Sequence, residues 1–105
     1  MTVQEKIRSQ VTESSIVLYM KGTPQFPQCG FSGATVEILK ACDVENYTAV
    51  NVLADQEIRE GIKIYSNWPT IPQLYINGEF VGGADIVRDM HQQGELQKLI
   101  TSAVA

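Results

Sequence analysis

Cysteines, basic residues and long apolar runs are all scarce in this chain of 105 residues, and each scarcity excludes a class of protein. Two cysteines are too few for a disulfide-linked scaffold. With 8 basic against 12 acidic residues the net charge is -4, which argues against nucleic acid as a main partner. The longest apolar run, Ile16–Met20, is far too short to cross a membrane, so we expect no membrane association.

The composition and the first residues of the chain indicate a globular domain in a reducing compartment. Residues 1–6 show no basic segment followed by an apolar stretch, so we expect no signal peptide. An apolar fraction of 44% and a charged fraction of 19% are typical of folded globular proteins. At this length a single domain, residues 1–105, is expected. We favour the cytoplasm; the alternative is an organellar matrix after removal of a transit peptide.

The first half of the chain has the pattern of a helix, a strand, a second helix and a second strand. Apolar residues recur at helical spacing over residues 3–11, and residues 16–20 are typical of a fully buried strand. A helix over residues 33–42 and a strand over residues 48–53 follow, and Asp55 is typical of a helix N-cap. This order predicts parallel strands joined by a right-handed crossover.

The second half of the chain predicts a hairpin followed by two helices. Residues 73–76 and 79–82 are strand-like and are separated by Asn77-Gly78, the sequence that favours a type I′ turn. Helices are predicted over residues 84–92 and 95–105. A βαβ half joined to a ββα half predicts a thioredoxin-like α/β fold, with a mixed four-stranded sheet flanked by helices on both faces.

The segment around Cys29 is the most informative part of the chain. Cys29 precedes a predicted helix, where unpaired N–H groups and the positive end of the helix dipole favour a thiolate. A thiolate is both the nucleophile of disulfide exchange and a ligand for iron or zinc. Ser32 occupies the position that the second cysteine has in a C-x-x-C motif, so no disulfide can close within the motif.

The residues after Cys29 have more than one interpretation. Gly30 leaves room for a ligand to approach the backbone, and Phe31 on the first helical turn is expected to shield the sulfur from water. Ser32 either offers its hydroxyl to the thiolate or is only a helix-compatible residue. A buried and inert Cys29 is the alternative, but the Pro/Gly-rich loop before it favours a reactive thiol.

Four segments, in the same order along the chain, together resemble the monothiol glutaredoxins of the CGFS type, and the similarity extends from Lys6 to Ile100. The segments are Lys21, Cys29-Gly30-Phe31-Ser32, Trp68-Pro69-Thr70-Ile71-Pro72, and Gly82-Gly83 followed by Asp85. The resemblance implies that the chain binds glutathione beside Cys29.

The resemblance also implies which residues form the glutathione site. It places Lys21 and Arg59 near the glycyl carboxylate, where cations are required. It places Thr70, Ile71 and Pro72 along the peptide, with a cis Ile71–Pro72 bond facing the active cysteine and the backbone of Ile71 free to pair with the ligand.

At the opposite end of the ligand, the resemblance places Gly83, Ala84 and Asp85 at a helix start whose N–H groups bind the γ-glutamyl carboxylate. Asp85 is expected to cap that helix and to accept a hydrogen bond from the γ-glutamyl ammonium. Many family members carry cysteine where this chain has Ala84. That difference removes a candidate second thiol and leaves backbone binding intact.

The number of thiolates available at the site is compatible with an iron–sulfur cluster as cofactor. A [2Fe-2S] cluster held by thiolates needs four of them. Cys29 from each of two protomers and one glutathione per protomer supply four, which predicts a homodimer bridged by the cluster. The resemblance implies a carrier that delivers clusters to apo iron–sulfur proteins.

Two other functions use the same residues. One is a glutathione-dependent oxidoreductase that removes glutathione from protein mixed disulfides, since Cys29 alone suffices for that chemistry. The other is a redox-sensing module that is glutathionylated at Cys29. We favour the carrier, because the resemblance associates Gly30, Phe31 and Ser32 with cluster carriage, and expect any reductase activity to be weak.

Cys42 is expected to be a packing residue at a helix end, and His91 is expected to lie on the polar face of its helix rather than to bind a metal. If residues 30–42 form one helix, Cys42 lies about 20 Å along the axis from Cys29. A disulfide requires Cα atoms within roughly 7 Å, so the two cysteines cannot pair in one subunit. His91 is the only histidine, and a metal site needs further ligands near it.

Overall fold

The computed structural model describes residues 1–104, and within them helices and strands follow the order that the sequence predicts. The elements are α1 Val3–Glu13, β1 Ile16–Met20, α2 Gly30–Ala41, β2 Thr48–Asn51, a 3-10 turn Val52–Ala54, α3 Gln56–Ser66, β3 Gln73–Ile76, β4 Glu79–Gly82, α4 Ala84–Gln92 and α5 Glu95–Val104.

The four strands form one mixed sheet in the order β2-β1-β3-β4. The central strand β1 runs parallel to β2 and antiparallel to β3, which in turn pairs antiparallel with β4. In this register Leu18 lies between Ala49 on one side and Leu74 on the other. The parallel pair is joined through α2, as the right-handed crossover of a βαβ unit requires.

Both faces of β1 are buried, because helices cover the sheet on both sides. Ile16, Leu18 and Met20 pack with apolar residues of α2, α4 and α5. Val17 and Tyr19 point to the opposite face and pack with apolar residues of α1 and α3. A strand buried on both faces shows a continuous apolar run rather than an alternating one. The predicted thioredoxin-like fold is confirmed.

Local signals for turns and caps are also confirmed. Asn77 and Gly78 have φ angles of 51° and 80°, so the hairpin between β3 and β4 has the predicted positive-φ turn. The Asp55 carboxylate accepts hydrogen bonds from the N–H groups of Glu57 and Ile58 at 3.1 and 3.2 Å, and therefore caps α3.

One predicted boundary is wrong. The second strand ends at Asn51 instead of residue 53, because the Asn51 carboxamide accepts a hydrogen bond from the N–H of Leu53 at 3.0 Å and starts the 3-10 turn. The second helix begins at Gly30, three residues before the apolar pattern at 33–42, and Cys29 is its N-cap, in agreement with the prediction that Cys29 immediately precedes a helix. The last predicted helix extends to Ala105, which lies outside the described residues.

One edge of the sheet collects the ends of all four strands and the starts of two helices. The last residues of β1 and β2 are paired, and the antiparallel register puts the first residue of β3 and the last residue of β4 at the same edge. α2 and α4 both begin here, after Cys29 and Gly83. In residues 1–104 no helix has the length and apolar character needed to span a bilayer.

Candidate functional site

A groove of about 400 Å³ lies at this edge of the sheet. It contains every residue that the sequence analysis assigned to the site. These are Lys21, Cys29, Arg59, Thr70, Ile71, Pro72, Gly83, Ala84 and Asp85. The fold therefore brings together residues from five separate segments. The volume is in the range of roughly 300–1,000 Å³ typical of small-molecule sites.

Cys29 is the N-cap of α2, and its partly exposed sulfur faces the first turn of that helix. The N–H group of Ser32 is the largest influence on the thiol and lowers its pKa below the ordinary value of 9.0. Partial burial opposes this effect, whereas the N–H of Phe31, the Ser32 hydroxyl and the Lys21 ammonium add to it. The Cys29 side chain makes no hydrogen bond that caps the helix. The nearby N–H groups nevertheless favour the thiolate over the thiol.

Ser32 is more than a helix-compatible residue. It is fully buried, and its Oγ accepts a hydrogen bond from the N–H of Lys21 at 3.1 Å. A hydroxyl can accept and donate at once, so the Ser32 hydrogen is still able to point toward the Cys29 sulfur. Ser32 therefore links the thiol to the end of β1.

The loop between β1 and Cys29 is held by several backbone contacts. The carbonyl of Lys21 accepts from the N–H of Gln28 at 2.9 Å, and the N–H of Gly22 donates to Oδ1 of Asn51 at 2.9 Å. Gly22 has a φ of 90°, and a Cβ there would lie 2.5 Å from the carbonyl oxygen of Phe26. Only glycine fits this turn, which fixes where Lys21 enters the groove.

Two aromatic side chains are exposed close to Cys29 in sequence. Phe26 is 74% exposed and Phe31 is 63% exposed. Phe31 lines the groove with Cys29, but most of its surface faces solvent, so this ring alone shields the sulfur only in part. Gly30 faces open space, since a Cβ there would have no neighbour within 4 Å.

Three cations line the groove, and the sequence analysis identified two of them. Within residues 1–104, neither Lys21 nor Arg59 has a carboxylate within ion-pairing distance. Lys63 is the residue that was missed; its Nζ lies 3.8 Å from Oε1 of Glu60. The signal was present in the sequence, because Lys63 follows Arg59 by four residues on the same helix and therefore shares its face.

The segment before β3 forms the middle of the groove. The Ile71–Pro72 peptide bond is cis, as the resemblance implied. The N–H and C=O groups of Ile71 make no hydrogen bond to any other residue of the described chain. Trp68 also lines the groove, and its indole packs at a tilt of 50° against Phe80, with 5.8 Å between the ring centroids. Unpaired backbone groups next to Cys29 are what an extended peptide ligand would use.

The start of α4 forms the other end of the groove. Gly83 is the N-cap, and no side chain caps this helix. The expectation that Asp85 caps α4 is wrong: its carboxylate lies in the first turn, 3.5 Å from Nη1 of Arg88. A Cβ on Gly83 would lie 3.0 Å from Nε1 of Trp68 and 3.4 Å from the carbonyl oxygen of Pro72, so the close packing here favours glycine.

Cys42 and His91 lie outside the groove. Cys42 is 3% exposed at the end of α2, and its Sγ is 3.7 Å from Nδ1 of His91. Burial raises the pKa of the Cys42 thiol, and the nearby Asp43 carboxylate adds to the rise. In residues 1–104 no three His, Cys, Asp or Glu side chains cluster to hold a metal ion. One chain therefore offers a single favourable thiolate ligand, that of Cys29.

Comparison with known proteins gives consistent results. A family model described as Glutaredoxin matches residues 16–81. The "Monothiol glutaredoxin-5, mitochondrial" of Lachancea kluyveri is 55% identical over 104 residues, covering 97% of this chain and 73% of that protein. "Glutaredoxin 4" of Escherichia coli is 50% identical over 104 residues, covering 99% and 90%.

The chain spans only part of some relatives. It covers 64% of the "Glutaredoxin-related protein 5, mitochondrial" of Danio rerio, which is 55% identical over 100 residues, or 91% of this chain. Among solved structures, "Solution structure of reduced poplar apo GrxS14" superposes with a TM-score of 0.83 at 46% identity. That match covers 97% of this chain and 93% of the poplar protein.

Proposed function

Because the chain belongs to the glutaredoxin family, and within it to the monothiol members, we propose that it is a glutathione-dependent carrier of [2Fe-2S] clusters. The observation that carries this proposal is the combination of one activated thiol, Cys29, with a buried serine at position 32. Among residues 1–104 the only other thiol, Cys42, is buried outside the groove. Chemistry at this site must therefore use a sulfur from another molecule.

Glutathione suits the charges of the groove. It is a short extended peptide with a glycyl carboxylate at one end and a γ-glutamyl carboxylate and ammonium at the other. Lys21, Arg59 and Lys63 supply cations for the first end. The uncapped N–H groups at the start of α4 supply donors for the second, and the Asp85 carboxylate offers an acceptor for the ammonium.

The ligand count supports a cluster held between two copies of the chain. Thiolate-ligated [2Fe-2S] clusters require four sulfur ligands, and this chain offers one. Cys29 of two copies and the thiolates of two bound glutathiones complete the set. A cluster held partly by small molecules that dissociate is suited to transfer, so we propose apo iron–sulfur proteins as recipients and a cluster-bridged homodimer as the loaded state.

A second candidate function is removal of glutathione from mixed disulfides. The Cys29 thiolate would attack the glutathione sulfur, form a Cys29–glutathione disulfide and release the protein thiolate. A second glutathione thiolate would then regenerate Cys29 and leave as glutathione disulfide. The lowered pKa of Cys29 favours this reaction. We propose that it is weak, because Ser32 cannot act as an internal resolving thiol.

The relatives do not all come from one cellular compartment. Those compared include proteins named as mitochondrial and a bacterial one. We propose the cytoplasm, with an organellar matrix as the alternative. Either compartment keeps thiols reduced, as a free Cys29 requires.

Anaerobic reconstitution with iron, sulfide and glutathione tests the carrier proposal. We expect visible absorption from a [2Fe-2S] cluster and a shift to dimer size, both requiring glutathione. Cys29→Ser should abolish both signals, and Cys42→Ser should keep them, since Cys42 is buried away from the groove. Cluster assembly without glutathione, or its loss in the Cys42 variant, would refute the ligand count.

A further inference from the structure

Gln73 is fully buried although its side chain is polar, and it lies directly behind the groove. It is the first residue of β3, and its amide makes three hydrogen bonds. Nε2 donates to the carbonyl oxygens of Trp68 at 3.2 Å and Thr70 at 3.1 Å. Oε1 accepts from the hydroxyl of Tyr75 at 3.1 Å. Both N–H donors of the amide are thus used on a single loop.

The chemistry of these partners determines the orientation of the amide. Carbonyl oxygens can only accept hydrogen bonds, so the nitrogen of Gln73 must face Trp68 and Thr70. The oxygen then faces the Tyr75 hydroxyl, which can donate. Tyr75 itself is 1% exposed and packs edge-on against Tyr19, with ring centroids 5.6 Å apart. The amide is therefore anchored to a fully buried part of the core.

The loop of residues 67–72, which Gln73 holds, has few other hydrogen bonds to the rest of the described chain. Residues 67–72 belong to no helix or strand. The N–H of Trp68 donates to the carbonyl of Lys63 and to Oγ of Ser66, both at 3.1 Å, which attaches the beginning of the loop to α3. Further along, the carbonyl of Thr70 is held by Gln73. This hydrogen bond therefore fixes the position of Thr70 and of the next residue, Ile71, both of which line the groove.

We propose that Gln73 is a positioning residue for glutathione, acting through the backbone of Thr70 and Ile71. This inference rests on the proposed function, since it concerns how the same groove recognises its ligand. The amide keeps the loop at the distance from Cys29 at which the free N–H and C=O of Ile71 can pair with an extended peptide. A side chain without two donors leaves the carbonyls of Trp68 and Thr70 unpaired, and the loop moves to satisfy them.

Gln73→Met tests this role, because methionine has a similar length and no donor. The Kd of glutathione, measured by calorimetry well below the unfolding temperature, should rise about tenfold, as expected when backbone pairing with the ligand is lost. The pH profile of Cys29 alkylation should not change, because the groups that lower its pKa belong to Ser32, Phe31 and Lys21. General loosening of the site would move both readouts.

Tyr19→Phe is the matched control. The Tyr19 hydroxyl is buried and donates to Oε1 of Gln10 at 2.8 Å, so this variant also removes a buried hydrogen bond from the core. The hydroxyl that is removed bonds Gln10 and no residue of the loop, and the ring that packs in the core is kept. The glutathione Kd of this variant should equal that of the parent. Gln73→Asn is the second variant if Gln73→Met does not fold, since its shorter amide cannot reach both carbonyls, and it too should weaken binding about tenfold.

The outcomes separate the two proposals. Failure of the parent chain to bind glutathione would refute the proposed function, and the role of Gln73 with it. Binding by the parent with an unchanged Kd in a folded Gln73 variant would refute only the positioning role. Equal weakening in Tyr19→Phe would also refute it, because the effect would then follow from core stability.

Discussion

Ser32→Ala is the most direct test of how this chain lowers the pKa of the Cys29 thiol. The variant deletes one hydroxyl and keeps the backbone N–H of residue 32, so it separates the two contributions that this residue makes to Cys29. The N–H is the larger of the two influences that lower the Cys29 pKa, and the hydroxyl is a smaller one. The pKa of Cys29 should therefore rise and yet stay below its ordinary value of 9.0.

The same variant should also lower stability. Oγ of Ser32 is the acceptor for the N–H of Lys21, and its removal leaves that donor unpaired. An unsatisfied buried donor costs about 1–3 kcal/mol. Lys21 is partly exposed, so water can replace the lost acceptor and the lower end applies. A loss of about 1 kcal/mol lowers the Tm of a domain of this size by about 4–8 °C.

Both effects can be measured on one set of proteins. In a Cys42→Ser background only Cys29 reacts, and the rate of iodoacetamide alkylation against pH gives its pKa. Thr35→Val is the control, because the buried Thr35 hydroxyl donates to the carbonyl of Phe31 at 3.0 Å and is not among the groups that shift the pKa of Cys29. If the midpoint of the alkylation rate against pH is the same in Ser32→Ala as in the parent, the hydroxyl has no role in lowering the Cys29 pKa. A midpoint that reaches 9.0 would refute the dominance of the N–H group.

Three further predictions follow from the site. Arg59→Ala should weaken glutathione binding by about 1.5–3 kcal/mol through loss of a charge-assisted contact, measured by calorimetry, with Arg8→Ala on α1 as the control; equal affinities would remove Arg59 from the site. Ser32→Cys should raise reductase activity in a mixed-disulfide assay, because a nearby internal thiol can resolve the intermediate, and should make the cluster-bridged dimer less stable in air; equal turnover would favour the enzyme over the carrier. The lowered pKa of Cys29 contributes stability that is present above the unfolded value near 9.0 and is lost as pH falls through the folded pKa. The stability difference between the parent and Cys29→Ser should therefore grow from acid to alkaline pH in denaturant titrations, and a difference independent of pH would contradict this account.

Much of the fold could be read from the sequence because its signals are local. The turn at Asn77-Gly78 requires positive φ angles that few residues adopt, and the carboxylate of Asp55 caps the helix that begins next to it. Apolar spacing identified the helices, and the continuous apolar run at 16–20 identified a strand covered on both faces. Each of these signals depends on only a few neighbouring residues, so it can be recognised without knowledge of the folded structure.

Contacts between residues that are distant in sequence explain why one end of a strand was predicted wrongly. The strand at 48–53 was predicted too long because Asn51 turns the chain with its own side chain while also holding Gly22, which is 29 residues away. The failed prediction at Asp85 has a local cause instead: Gly83 is the N-cap of α4, and the Asp85 carboxylate lies near Arg88, three residues further along the same helix.

The sequence by itself determined the order of elements, the place of Cys29 at a helix start and the absence of a second cysteine at position 32. Only the tertiary structure decided that Ser32 bonds the backbone of Lys21 and that Gln73 is buried behind the groove. It also brought Lys63 into the groove. The reason is physical: periodicity and turn preferences report the backbone within a few residues, whereas a buried hydrogen bond depends on which distant segments the sheet brings together.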